Sequence, residues 1–482
     1  MKSASSLTVL LLSGGLAACS LAPEYKKPET VAAPQSYKEI DGWKPAQPSE
    51  EQARGKWWQA YGDAELNAME EHIGAGNQSL QAAVARLQQA RAQTRQVSSD
   101  LAPTVTTNPS ATRGRTSTNS PRYPNGAEPT LNNFNIGLDV SYELDVFGRV
   151  RNAVSTAKAG QQASAADLAT LDLSLHAELA NDYFSLRSDD AQQLLLDHTV
   201  DDYEKSLKLT ENLFNGGGTA LIDVAQAQAQ LETARTRAAD IRLHRAQTEH
   251  AIAVLLGRNP SEFHLDAKPL AVTQAPPAIA TGLPSALLER RPDVAGAERR
   301  VAAANAEIGV ARAAYFPVFS LAGLFGYDSA QSSSWLKAPS RTWSFGPTAV
   351  LTLFDGGRRR ALNEQAQAVY DEKVANYRGT VLTAYQEVED NIAALVQLEK
   401  ESNSQALAVK ASGTALEQAN YRYKGGLVTY LEVSTIENVA LQAQLSAAAI
   451  QLRRMQASVL LVKALGGGWQ ATDDSGEAVA AK

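Results

Sequence analysis

The chain has 482 residues, a formal net charge of −7 and an aromatic content of 6%. Its length suits a large core or more than one domain. The mild acidity argues against a nucleic-acid partner, and so few aromatics make a poor ligand-stacking module. Alanine and glutamine are abundant, a composition suited to long, closely packed helices. No internal run approaches the roughly 18 apolar residues of a membrane-spanning helix.

The N-terminus reads as an address. Lys2, the apolar stretch Leu7 to Leu12 and the closing Leu16-Ala17-Ala18-Cys19 predict an export signal over 1–18. Cys19 is the only cysteine, which excludes a disulfide within the chain. Leu-Ala-Ala-Cys resembles the bacterial lipobox, in which the thiol takes diacylglycerol and the new N-terminus is acylated. Several acyl chains on one residue give stable anchoring, whereas one is marginal. Ser20, in place of the aspartate that retains lipoproteins in the inner membrane, points to the outer membrane. Residues 19–56 carry Pro23, Pro28, Pro34, Pro45 and Pro48 and read as a lipid-anchored tether.

The remainder says nearly the same thing twice. Arg149 and Arg358, Glu178 and Glu387, Gly216-Gly217 and Gly425-Gly426, and Leu256-Gly257 and Leu465-Gly466 all match at a spacing of 209 residues. Such duplication signals one supersecondary unit used in two copies. The first repeat is expected over 57–257: a helix, two strands within about 104–145 and a helical hairpin over 148–257. A linker over 258–282 leads to the second repeat, 283–469, with strands within about 318–354 and a hairpin over 358–466. Residues 470–482 are expected to be a disordered tail.

Proline placement supports the hairpins, because none of the 19 prolines lies within 130–259 or 348–482 and proline breaks helix interiors. Inside these blocks Leu231, Ala234, Ala238, Ile241, Arg245, Thr248, Ile252 and Leu255 follow a 3-4 rhythm, repeated by Ala440 to Ala464. That stripe of small residues lets helices approach closely, and its reading is core packing.

The strand candidates are Thr104 to Thr112, Asn135 to Asp145, Val318 to Tyr327 and Trp343 to Phe354. Asn135 to Asp145 alternates strictly, with Ile136, Leu138, Val140, Tyr142 and Leu144 on one face and Asn135, Asp139, Ser141 and Glu143 on the other. A soluble half-buried strand looks the same, but the length also fits a strand crossing an outer membrane, the apolar face in lipid and the polar one on a wet lumen. Four strands cannot close a membrane barrel, and open edges are not tolerated in lipid. Strands that span must be pooled by several chains.

The motif Gly282-Leu-Pro-Ser-Ala-Leu-Leu-Glu-Arg-Arg-Pro-Asp293, continuing through Ala297-Glu298 and Ala302-Ala303-Ala304-Asn305-Ala306 to Tyr315-Phe316-Pro317, resembles the signature of outer-membrane efflux lipoproteins. These are the TolC-like outer membrane factors of resistance–nodulation–division (RND) pumps. Cys19 to Tyr25, Trp57-Trp58, Glu143 to Arg149 and Ala464 to Trp469 extend the resemblance over nearly the whole mature chain. The resemblance implies a mainly α, internally duplicated fold with a small transmembrane β part. It further implies a homotrimeric 12-stranded outer-membrane barrel, four strands per chain, continuous with a long periplasmic α-helical barrel. The implied partners are a periplasmic adaptor, an inner-membrane RND pump and outer-membrane lipid, with no cofactor. Two rival functions are a duct for ATP-driven protein export and a non-conducting envelope spacer.

The turns holding Gly216, Gly217, Gly425 and Gly426 end one long helix and begin another, where glycine supplies the left-handed backbone. The resemblance makes these turns the periplasmic tip, which contacts the adaptor and closes the tunnel. Asp223 and Glu432 follow at equivalent positions. In a trimer either gives three carboxylates at a constriction; the rival readings are a solvated helix face or an interhelical salt bridge. No catalytic signature stands out: the six histidines show no metal spacing, and His176-Ala-Glu178 lacks the cysteine pair of a zinc deaminase.

Overall fold

The computed structural model describes residues 20–30, 37–38, 55–119, 130–279 and 290–467. The signal segment, Cys19, the first part of the 282–293 motif and the tail after 467 lie outside the described residues. The duplication is realised without a gap. Helix α3 spans Arg149–Asn215 and α6 spans Arg358–Lys424, 67 residues each. Their partners α4 (Leu221–Leu255) and α7 (Tyr430–Ala464) have 35 each. At about 1.5 Å per residue the longer pair measures about 100 Å. Preceding them are α1 (Ala64–Gly76) and α2 (Gln78–Ser98) in the first repeat and α5 (Pro292–Ala313) in the second. No described helix is long and apolar enough to cross a membrane.

Two compact units divide the chain, and each takes material from both repeats. The first contains residues 20–29, 86–165 and 296–377 and holds the sheet. Strands β1 (Thr104–Thr107) and β2 (Ser110–Arg115) both pair antiparallel with β3 (Thr130–Leu144). The break between them falls at Asn108-Pro109, where proline has no N–H to give a ladder. On its other side β3 pairs with β4 (Val318–Ser329), which in turn pairs with β5 (Arg341–Val350). The sheet therefore joins the repeats through β3 and β4, antiparallel throughout.

The last strand differs from expectation. It was expected over Trp343 to Phe354 but ends at Val350, which sits opposite Val318, the first residue of β4. Pairing stops because the partner strand has not yet begun, and Leu351 to Phe354 continue unpaired.

Each strand-to-helix junction is built by a short acidic segment. Asp145 accepts from the Val150 and Arg151 amides at 3.0 and 2.9 Å, and Arg149 grips Glu143 with two bonds of 2.8 and 2.7 Å. Asp355 does the same work before α6, accepting from the Gly357 and Arg359 amides. These bonds satisfy the free N–H groups that open each long helix.

The second unit contains residues 30–85, 166–295 and 378–482, described over the ranges given above. Its core gathers Trp58, Tyr61, Leu66, Ile73, Leu179, Phe184, Leu186, Ile252, Met455 and Val459. The 3-4 stripe of α4 is buried as expected, at Leu231, Ala234, Ala238, Ile252 and Leu255. On α7 the buried row shifts to include Leu441, Ala448 and Met455. The duplicated helix ends pack backbone on backbone. A Cβ at Gly257 would collide with Gly76, and one at Gly466 with the Arg290 carbonyl; both glycines have positive φ, +67° and +89°.

The Arg-Arg-Pro-Asp motif proves architectural. Arg291 is buried and donates to Asp293, to Glu387 of α6 at 2.6 Å and to the Ala464 carbonyl that ends α7 at 3.2 Å. His176 likewise serves packing: it stacks on Trp58 at 4.5 Å and bonds Glu70 at 2.6 Å. Burial pushes the Glu70 carboxyl up to about 7. Among the described residues no group of side chains is placed to hold a metal.

Candidate functional site

The sheet has two chemically distinct faces. Register places Val105, Val140 and Gly323 in one row and Thr107, Leu138, Phe325 and Trp343 in the next. Directly opposed residues share a face, so Ile136, Leu138, Val140 and Tyr142 stand with Tyr327, Phe325 and Leu321. This face is apolar and left uncovered by the described residues: Leu138 is 52% exposed, Phe325 52%, Trp343 71% and Phe345 69%. The other face carries Asn135, Asp139 and Ser141 with Ser320, Asp328, Thr342 and Ser344. Both outer edges, β1/β2 and β5, have no further strand beside them among the described residues. A sheet with a greasy face, a polar face and two unpaired edges is an unfinished barrel.

Residues 20–29 lie along the same unit. The Ser20 hydroxyl donates to Asn152 Oδ1 at 3.0 Å, Asn305 Nδ2 donates to the Pro23 carbonyl at 2.8 Å, and the Tyr25 hydroxyl donates to Glu298. Gly309 is required where the strap meets α5, because a Cβ there would run into Asn152 and Ala22. Ser20, one residue after Cys19, is thereby fixed beside the first turn of α3, close in sequence to the end of β3. The motif residues Glu298 and Asn305 were visible in the sequence, but their partner was not, since no periodicity links residue 25 to residue 298.

In the second unit both hairpins turn by one device. Gly217 and Gly426 adopt φ of +76° and +70°, and the Gly218 and Leu427 amides reach back to the Leu213 and Arg422 carbonyls at 2.7 and 2.9 Å. This is the Schellman closure that glycine permits. Gly216 and Gly425 precede the left-handed residue in each copy and bond back to Asn212 and Tyr421. The carboxylates that follow differ. Asp223 sits in the first turn of α4, bonded to the Thr219 hydroxyl and facing the Ala220 amide. Glu432 accepts from Arg422 Nη1 at 2.8 Å across the turn. The single chain thus places Asp223 as a helix-start acceptor and Glu432 in an interhelical ion pair.

Three comparisons bear on this geometry. The family model described as outer membrane efflux protein matches residues 72–258 and 283–467, the two repeats. Outer membrane protein OprJ of Pseudomonas aeruginosa is 33% identical over 472 residues, covering 97% of this chain and 97% of that protein. The toluene efflux pump outer membrane protein TtgC of Pseudomonas putida is 33% identical over 470 residues, covering 96% and 94%. Among solved structures, the outer-membrane channel OprN superposes with a TM-score of 0.85 at 32% identity, covering 94% of this chain and 100% of that one. The CmeC channel of Campylobacter jejuni gives 0.87 at 25% identity, covering 95% and 97%.

Sheet, hairpins and duplication define an outer-membrane channel subunit with the fold of the trimeric TolC-like channels. The chain belongs to the outer membrane efflux protein family. That family consists of channels, not enzymes, and the chain is an exit duct of the outer membrane.

Proposed function

We propose that three copies pool their strands into one 12-stranded barrel that passively carries small toxic compounds outward. They receive them from a periplasmic adaptor and an inner-membrane pump of the RND class. The observation that carries this reading is the sheet itself: a face of exposed Leu138, Phe325, Trp343 and Phe345 backed by a polar face, with both edges open among the described residues. A non-conducting spacer has no use for a hydrophilic face on such a sheet. Relatives named for antibiotic, toluene and pyoverdine export favour small molecules over proteins as cargo, and polar duct walls leave substrate choice to the pump.

Cys19 is the lipid attachment point in this reading. Docking of Ser20 against Asn152 holds the residue after the lipid at the strand–helix junction, where a membrane surface belongs. The hairpin turns at Gly216-Gly217 and Gly425-Gly426 form the periplasmic tip that meets the adaptor, with Asp223 and Glu432 beside the constriction. Planar-bilayer recording of the purified protein tests the duct: discrete conductance steps are expected, and folded assemblies that never conduct overturn it.

A further inference from the structure

The seam between α3 and the second hairpin contains a group of polar side chains that no role so far uses. Tyr203 of α3 and Tyr430 of α7 are 4% and 2% exposed. Their hydroxyls, the Tyr423 hydroxyl and Glu437 Oε2 are all buried with no hydrogen-bond partner among the described residues. The Tyr423 and Tyr430 rings touch at 5.8 Å between centroids, and all four residues line one cavity of about 470 Å³. Polar groups without a protein partner stabilise a packed seam less than paired ones do, so the packing here is sensitive to a change of charge among them.

The arrangement exists once. At the equivalent positions of the first hairpin stand Phe214, Leu221 and Gln228 in place of Tyr423, Tyr430 and Glu437. Where one copy has a neutral amide, the other has an acid. We propose that Glu437 is a gating residue of the duct: bound to a proton it lets α7 stay packed on α3, and on ionising it drives the second hairpin away.

The charges facing Glu437 support that direction. Asp202 of α3 repels it, and burial first, then Asp202, pushes its carboxyl up to about 7. Lys205 is held by Asp202 at 3.0 Å; His198 on α3 and Lys424 on α6 line the same cavity, and Arg237 of α4 acts on Tyr203. None of these forms an ion pair with Glu437 among the described residues. The sign follows from linkage. A carboxyl raised in the packed form binds its proton more tightly there than in the separated, solvated form. Below its ordinary value near 4.5 both forms are protonated and pH has no effect. Between there and about 7 only the separated form ionises, so each pH unit favours separation by up to about tenfold. Above about 7 both are ionised and the shift is complete.

The inference rests on the duct reading for its consequence but not for its test. Hydrogen exchange of the peptide covering 430–444, in the full-length solubilised protein and corrected for intrinsic rate, reports the seam directly. Protection is expected to fall roughly tenfold or more between about pH 5 and about pH 7.5. Glu437→Gln should stay protected at both values. Asp202→Asn should narrow the difference without abolishing it. Tyr203→Phe, which removes an orphaned hydroxyl, should raise protection at both while keeping the pH difference. A wild type without pH dependence, or Glu437→Gln with the wild-type difference, overturns the proposal. Bilayer conductance run in parallel separates the two ideas: a seam that responds while bilayers stay sealed counts against the duct reading alone.

Discussion

Arg422 and Glu432 illustrate how little a visible contact fixes by itself. Their pair spans the second turn at 2.8 Å, with both side chains about half exposed, and such pairs contribute under about 1 kcal/mol to stability. Removing it should leave folding untouched and act on the tip. Asp223→Ala with Glu432→Ala is expected to raise single-channel conductance at normal trimer content; unchanged conductance would return both residues to helix capping and surface charge. Cys19 lends itself to a simpler experiment. Cys19→Ser should lose labelling by radioactive fatty acid, since the chain has no second thiol, and persistent labelling would contradict the lipid anchor. At this scale the sequence was legible where glycine leaves one physical option, as at Gly217 and Gly426. It was silent on Tyr203 and Glu437, which lie on different helices and meet only through the packing of α3 on α7.

Among the elements, the helices were readable because proline-free blocks and a fixed spacing of 209 residues left little freedom. Both long hairpins fall where the duplication put them. The sheet was readable in its faces but not in its ends, because β5 stops where β4 gives out, and strand length is a property of the pair. The alternation of β3 makes opposed substitutions informative. If the apolar face meets lipid, Leu138→Arg costs about 2–4 kcal/mol near the midplane, and should reduce folded assembly measured by heat-resistant mobility on gels. Asp139→Arg projects into the polar side and should fold, altering only ion selectivity. Equal loss of assembly in both variants would refute the assignment of the two faces.

For the whole molecule the decisive fact is incompleteness. With β1 and β2 counted as one strand interrupted at Asn108-Pro109, each chain has four antiparallel strands. With β1/β2 and β5 lacking an outer neighbour among the described residues, they cannot sit in a bilayer without other chains to receive their backbone groups. Three chains supply 12 strands, an even number within the range of known outer-membrane barrels. The duplication serves the same end, since each chain contributes two matched hairpins. Native mass spectrometry of the detergent-solubilised protein tests this most directly. The shared barrel requires a species of three copies that retains β-structure, and a stable monomer with its β-structure intact would contradict it.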